Sequence, residues 1–449
     1  MKGMRLIGRA VELMAAIAAI GTMFVASSAG ATTIERVVSP GGIEAWLVHE
    51  RAVPLIAVDF AFAGGAVQDP AGKAGTATLT ASLLDAGAGD LDSAAFSDRL
   101  ERKAIQMSFS AQRDTINGTM RTLTENRDEA FELLHLAVTA PRFDAKDVEI
   151  NRAQILSLLR RETTSPSDIA SRRWWETAFE GHPYGRPVKG TSDTVPSISI
   201  ADLKTYTHRV LARQNLKIAV VGDIDAETLK VLLDRTFGAL PQKPELYPIA
   251  NAAPSGLGRR IEVSLDVPQT VVDFGGPGIP RQDPDFMAAY LINHILGGGS
   301  SDSRLYHEVR EKRGLAYSVS DNLVWLDHAA VLLGGTATRA DRAGETVDLI
   351  EKEIHHFADD GPTAGELMEA KRYLNSAFVL NLDSSTKIAG LLVQLQLDGF
   401  GPDYFSRRSA MIEAVTLDDA RRVAKRLLDK GLLVTVVGKL QGFASSKPN

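Results

Sequence analysis

Apolar residues recur along this chain in two spacings. Residues 43–48 and 55–62 alternate or run apolar over strand-length stretches. Other stretches repeat apolar positions three and four residues apart. Residues 75–85 (GTATLTASLLD) predict a buried helix, and 93–103, 125–138 and 147–162 predict amphipathic ones. Strands mix with helix pairs without a regular strand–helix–strand alternation. The pattern predicts an α+β fold in which each sheet is mostly antiparallel and packed with helices.

The same pattern occurs twice. Pro54, Val58, Asp59 and Phe60 read against Pro268, Val272, Asp273 and Phe274, and Gln68-Asp69-Pro70 reads against Gln282-Asp283-Pro284, all at an offset of 214. Near the far end of each copy, Val220-Val221-Gly222 reads against Val436-Val437-Gly438 at an offset of 216. Both late strands follow a capping-box helix start, Ser199 with Asp202 and Thr416 with Asp419. The chain therefore divides into two homologous domains, 32–240 and 259–449, each of ordinary domain size. Pro241, Pro244, Pro248 and Pro254 fall between them, so 241–258 reads as an extended linker.

At 449 residues, with 44% hydrophobic and 24% charged positions, the composition is that of a globular protein and not of a disordered or fibrous one. A net charge of −6 argues against broad nucleic-acid binding. The absence of cysteine excludes disulfides, thiolate metal sites and cysteine nucleophiles. The N-terminus has its own logic. Lys2, Arg5 and Arg9 precede an apolar run over 13–25, and Ala29-Gly30-Ala31 has the small-x-small form of a cleavage site. Residues 1–31 thus read as a signal peptide, with a retained membrane anchor as the alternative. The run is short for a span, and the mature chain, from Thr32, is expected in a bacterial periplasm with no membrane segment.

The expected tools of catalysis are missing. None of the nine histidines has a partner at the four-residue spacing that would aim two rings at one metal from a helix. No serine elbow, phosphate loop or dinucleotide fingerprint occurs. Gly297-Gly298-Gly299 reads either as a loop between helices or as a substrate-binding loop touching an extended peptide. Taken alone, Arg310 is a surface arginine and Tyr317 a half-buried strand aromatic.

Several segments nevertheless resemble the pitrilysin/insulinase family of zinc metallopeptidases, which includes the mitochondrial processing peptidase. Gly64-Gly65 through Gly75 is similar to the family's strand-to-helix entry. His182-Pro183-Tyr184-Gly185-Arg186-Pro187 is similar to a second signature. The most specific match runs from Ser303-Arg304-Leu305-Tyr306 through Arg310 and Arg313-Gly314-Leu315-Ala316-Tyr317. The resemblance covers the mature chain and implies repeated α+β domains. It also exposes a departure. Active members carry H-x-x-E-H and a later zinc-binding glutamate; here those positions are Thr78, Ala81, Ser82 and Leu158. No zinc is expected in this chain. The resemblance does keep Arg310 and Tyr317, the pair that in the family holds the scissile carbonyl. Gly314 sits where a C′ glycine would end a helix over 301–312, and a strand is expected over 316–324. The resemblance thus implies a subunit that meets a homologous H-x-x-E-H chain, with zinc in that partner and a peptide or unfolded protein as substrate. A non-catalytic peptide-binding or scaffold protein is the alternative, and a self-sufficient hydrolase a third.

Overall fold

The structure, a computed structural model, describes residues 33–298, 301–380 and 382–440. The proposed signal segment, Thr32, Gly299 and the last residues lie outside them. Among the described residues no helix is long and apolar enough to cross a membrane.

Among the described residues eleven strands form two sheets. The first contains β1 (Ile34–Val38), β2 (Glu44–His49), β3 (Leu55–Ala63), β4 (Gln106–Ala111), β5 (Thr115–Leu123) and β6 (Leu216–Gly222), in the order β1-β2-β6-β3-β5-β4. The second contains β7 (Arg260–Ser264), β8 (Gln269–Pro277), β9 (Ala316–Trp325), β10 (Ala330–Arg339) and β11 (Leu433–Gly438), in the order β7-β11-β8-β10-β9. Apart from the edge strand β1, the two orders are the same order. Pairing is antiparallel except at β2–β6 and at β7–β11, which occupy equivalent places. The α+β expectation holds.

The repeat extends to side chains. Phe60 on β3 lies across from Gly118 on β5, and Phe274 on β8 lies across from Gly334 on β10. A β-carbon on Gly118 would stand 2.1 Å from the Phe60 ring, and one on Gly334 would stand 2.3 Å from the Phe274 ring. Each ring therefore fills the space that its neighbour's missing side chain leaves, which pins the register of the central strands.

The central strand β3 is buried on both faces. Ile56, Val58, Phe60 and Phe62 join a core made with helices of the first half, including Phe131, Leu134, Leu233 and Phe237. The opposite face is covered by the other half. Helix Ser385–Leu397 packs Ala389, Leu392 and Val393 onto Trp46, Ala61 and Ala219, and Gln396 Nε2 donates to Ile218 O at 2.9 Å. Helix Pro166–Ala178 does the reciprocal. Its Trp174 is 1% exposed, packs beside Val331 and Leu433, and donates from Nε1 to Leu433 O at 3.0 Å. Each half thus lends one helix to the other's sheet, which a division by sequence position does not reveal.

The segment 241–258 has neither helix nor strand, but it is not loose. Tyr247 exchanges hydrogen bonds with the Gln68 amide through its own N–H and C=O (2.6 and 3.0 Å), and Arg209 lies 3.7 Å over its ring. Ser255 N donates to Ala178 O at 2.8 Å.

Two predicted helices differ in detail. The helix predicted over 75–85 stops at Ala81, in Thr76–Ala81. Beyond it, Leu83 and Leu84 make the tighter bonds to Thr80 and Ala81, and the Ser82 hydroxyl donates back to Leu79 O. A serine hydroxyl competing for a helix carbonyl favours such a tightened end. The helix predicted over 301–312 begins at Arg304, and after Tyr306 it widens into a π-helical turn, His307–Glu311.

Candidate functional site

Arg310 sits in that π-helical turn, and Tyr317 near the start of the edge strand β9. The chain between them turns sharply at Gly314, whose φ of +59° suits glycine and few other residues. Gly314 N donates to Arg310 O, and Leu315 N donates to Val309 O, both at 2.9 Å. These bonds close the helix end like a Schellman motif widened by one residue, as the π turn requires.

β9 is irregular at the same spot. Val319 faces Thr336 and Ala316 faces Thr338, so Tyr317 and Ser318 together oppose Ala337. This β-bulge re-aims the tyrosine. Tyr317 is 80% exposed, not half-buried as an ordinary β9 residue would be. The Arg310 guanidinium lies 4.6 Å from the Tyr317 ring centroid and 4.9 Å from that of Tyr306, and it donates to the Tyr306 hydroxyl. The Tyr317 hydroxyl has no hydrogen-bond partner among the described residues. The structure thus gathers one cation and two phenols at one rim. The sequence pattern named Arg310 and Tyr317; Tyr306 follows from the four-residue helical spacing, which places it beside Arg310.

The positions matched to the metal ligands do not fit a metal. Helix Thr76–Ala81 packs against helix Ala145–Glu162, so Thr78 and Ala81, with Ser82 as the first helix's C-cap, and Leu158 belong to helices that meet. Zinc takes imidazole, thiolate or carboxylate donors. Thr78 Oγ1 instead donates to Val188 O at 2.7 Å, Ser82 Oγ donates to Leu79 O at 3.0 Å, and Ala81 is buried. Among the described residues no group of three His, Asp or Glu side chains is placed to hold a metal ion. Nor does the Arg310 guanidinium reach these helices: its contacts are with Tyr306 and Tyr317.

Of the glycine loop, Gly297 and Gly298 are described and Gly299 is not. Both N–H groups donate to Asn293 O, at 3.0 and 2.9 Å, and Gly297 O accepts from Asp321 N at 3.0 Å. A β-carbon on Gly297 would stand 2.9 Å from the buried Asp321 carboxylate. These two glycines serve a helix end and a close approach to Asp321. Asp321 is fully buried, and burial pushes its carboxyl well above the usual carboxylate range despite a 2.7 Å bond from Asn293 Nδ2.

The His182 motif is structural. His182 Nδ1 accepts from Tyr184 N and its Nε2–H donates to Ala250 O, while Arg186 donates to Asp69 O and Val67 O. The Tyr184 hydroxyl donates to the Asp114 carboxylate and accepts from His328 N at 3.0 Å, tying the two halves together. This junction was not visible in the sequence, because its members lie far apart in the chain.

Comparison with known proteins agrees with this picture. Residues 48–192 match the family described as insulinase, peptidase family M16, and 197–374 match the one described as peptidase M16 inactive domain; together they span well over half of the chain. An uncharacterized zinc protease of Streptomyces coelicolor is 26% identical over 427 residues, covering 93% of this chain and 92% of that one. A non-peptidase homolog, YmxG, of Helicobacter pylori is 26% identical over 327 residues, covering 73% and 75%. Among solved structures, a peptidase M16 inactive domain from Pseudomonas fluorescens superposes with a TM-score of 0.85 at 26% identity, covering 93% of this chain and all of the other.

Proposed function

The chain belongs to the M16 (insulinase) peptidase family, and from that premise we propose that it is a non-metal-binding subunit of a periplasmic heterodimeric zinc peptidase. Its partner is a homologous chain that carries H-x-x-E-H and the zinc. This chain supplies Arg310 and Tyr317 to a peptide, or an unfolded segment of a protein, held at the partner's metal. The observation that carries the reading is the contrast between the two halves. The metal positions hold no metal donors, while Arg310 and Tyr317 stand together, with Tyr317 open to solvent.

The chemistry follows from the groups. A guanidinium is charged at every working pH and donates in a fixed plane. A phenol donates one directed hydrogen bond. Aimed at a carbonyl oxygen, the two hold the peptide and stabilise the negative charge that develops there when the carbon is attacked. β9 is an edge strand, so an extended peptide could add to it by main-chain bonding that tolerates varied sequence. The name of the YmxG relative favours a second reading, a peptide-binding protein without a catalytic role.

The test is reconstitution. Co-purified with an H-x-x-E-H partner, the mixture should cleave peptides in a zinc-dependent way and this chain alone should not. Arg310→Ala and Tyr317→Phe should each lower turnover of the mixture by about 10²–10³-fold, the usual loss for an oxyanion donor, with zinc content unchanged. Full turnover in both variants would remove the roles given to them. Peptide binding without cleavage in any mixture would favour the second reading.

A further inference from the structure

Where the two halves abut, a cavity of about 580 Å³ opens between the β4–β5 turn of the first and the β9–β10 turn of the second. That volume is in the range of small-molecule sites. Its charges divide into two sets. Asp114 is satisfied by the Tyr184 hydroxyl (2.8 and 2.9 Å) and by Asp327 N (3.1 Å). Asp398 is satisfied by Trp325 Nε1 (3.0 Å), Gln394 Nε2 (2.8 Å) and Arg281, whose Nε stands 3.4 Å away. The other two charges, Arg113 and Asp327, form no ion pair among the described residues; Asp114 acts on Arg113 only across space. Arg113 lies flat on Trp175, 3.6 Å from the ring centroid, with its Nε sealed from solvent and no acceptor for it. The Asp327 carboxylate lines the cavity with no donor, and burial together with the nearby Asp114 and Asp398 charges pushes it up to about 6. Asp327 N donates to the carboxylate of Asp114, the chain neighbour of Arg113, yet the Arg113 and Asp327 side chains form no ion pair with each other.

A purely anionic ligand would meet three carboxylates here, and a purely cationic one would meet Arg113 and Arg281. A ligand with both charges meets neither objection. We propose that this cavity binds a short peptide with free termini, its carboxylate on Arg113 and its ammonium on Asp327. Two to four residues, roughly 7–14 Å when extended, is the length proposed. The choice of a peptide over another zwitterion rests on the peptidase-subunit reading; the charge arrangement does not.

The experiment is calorimetric titration of the full-length mature chain, without any partner, with Ala, Ala₂, Ala₃ and Ala₄ and with N-acetyl and C-amide forms of Ala₃. Free Ala₃ should bind, and each blocked form should bind at least about tenfold more weakly, as expected when a charged hydrogen bond is lost. Asp327→Asn should weaken free Ala₃ but not acetyl-Ala₃, and Arg113→Gln should weaken free Ala₃ but not Ala₃-amide. No binding of any free peptide at millimolar concentration overturns the proposal, as does equal binding of blocked and free forms. Tighter binding of alanine than of every peptide overturns the peptide assignment. The blocked ligands use the unaltered chain, so a variant that fails to fold leaves the test intact. Because no cleavage is measured, failure here is separate from failure of the subunit reading, which the reconstituted mixture decides.

Discussion

Tyr184→Phe removes one hydroxyl from the joint between the halves. Tyr184 is fully buried, and its hydroxyl is the donor that both Asp114 oxygens share and the acceptor for His328 N–H. A hydrogen bond to a charged acceptor contributes about 1.5–3 kcal/mol, and a stranded backbone N–H costs a further 1 kcal/mol or so when water reaches it poorly. The expected loss at pH 8 is therefore roughly 2–4 kcal/mol.

The loss should also depend on pH. Burial pushes the Asp114 carboxyl up, and the Tyr184 hydroxyl and Asp327 N–H pull it back by bonding the charged form. Without the hydroxyl it rises further. A carboxyl raised in the folded state favours the protonated folded form, so stability falls as pH rises from the ordinary carboxylate value through the raised one. The variant has the wider interval, so its deficit should be larger at pH 8 than at pH 5. Urea unfolding followed by tryptophan fluorescence at both values measures this, since Trp174 and Trp175 lie in the same cluster as Tyr184. A deficit below about 0.5 kcal/mol, or one equal at both pH values, would refute the reasoning.

Three further outcomes are expected. Gly118→Ala and Gly334→Ala should each cost about 1–3 kcal/mol by overpacking against Phe60 and Phe274, whereas Gly365→Ala, whose β-carbon would meet nothing within 4 Å, should be close to neutral; chemical denaturation compares them. Asp59 and Asp273, on equivalent central strands, are both pushed to about 6 by burial, so stability should fall as pH rises from about 4 to 6 and then level off. Asp59→Asn and Asp273→Asn should each recover roughly 1–3 kcal/mol at pH 8 and little at pH 4, and a pH series of unfolding midpoints checks the sign. Finally, N-terminal sequencing of protein exported to a periplasm should begin at Thr32; a start at Met1 would mean that the segment is retained.

How much of this was legible in the sequence depended on distance along the chain. The duplication was, because Val58-Asp59-Phe60 and Val272-Asp273-Phe274 are contiguous strand segments whose burial on both faces forces an apolar pattern. The π turn and the bulge were not, although Arg310 and Tyr317 were named. Both irregularities arise from how β9 meets β10 and how Leu315 reaches Val309, and propensity does not encode either. The exchanged helices were invisible for a related reason. Helix Pro166–Ala178 is amphipathic whichever sheet it covers, and only the folded packing of Trp174, Ile169 and Ala170 on β8, β10 and β11 says that it covers the distant one. The cavity charges show the limit most plainly. Arg113 and Asp327 look like turn residues in sequence, and only the abutting turns bring them to one space.

The metal positions and the Arg310–Tyr317 rim differ in how their polar groups are used. At the metal positions the two hydroxyls are consumed, Thr78 on Val188 O and Ser82 on Leu79 O, and Ala81 is a buried methyl with no donor. A substrate arriving there would find no free donor in those three side chains. At the rim the reverse holds. Tyr317 exposes most of its surface, and Arg310 spends one donor on Tyr306 while its plane rests against two rings. An exposed phenol and a partly used guanidinium add little to stability, since neither buries much apolar area. The fold would therefore tolerate their loss. Arg310→Ala and Tyr317→Phe should accordingly leave the stability of the lone chain within the range of ordinary surface substitutions, about ±0.5 kcal/mol, even if they disable the proposed heterodimer. A large destabilisation by either would assign the pair to the fold and take away the reason for giving it to the substrate.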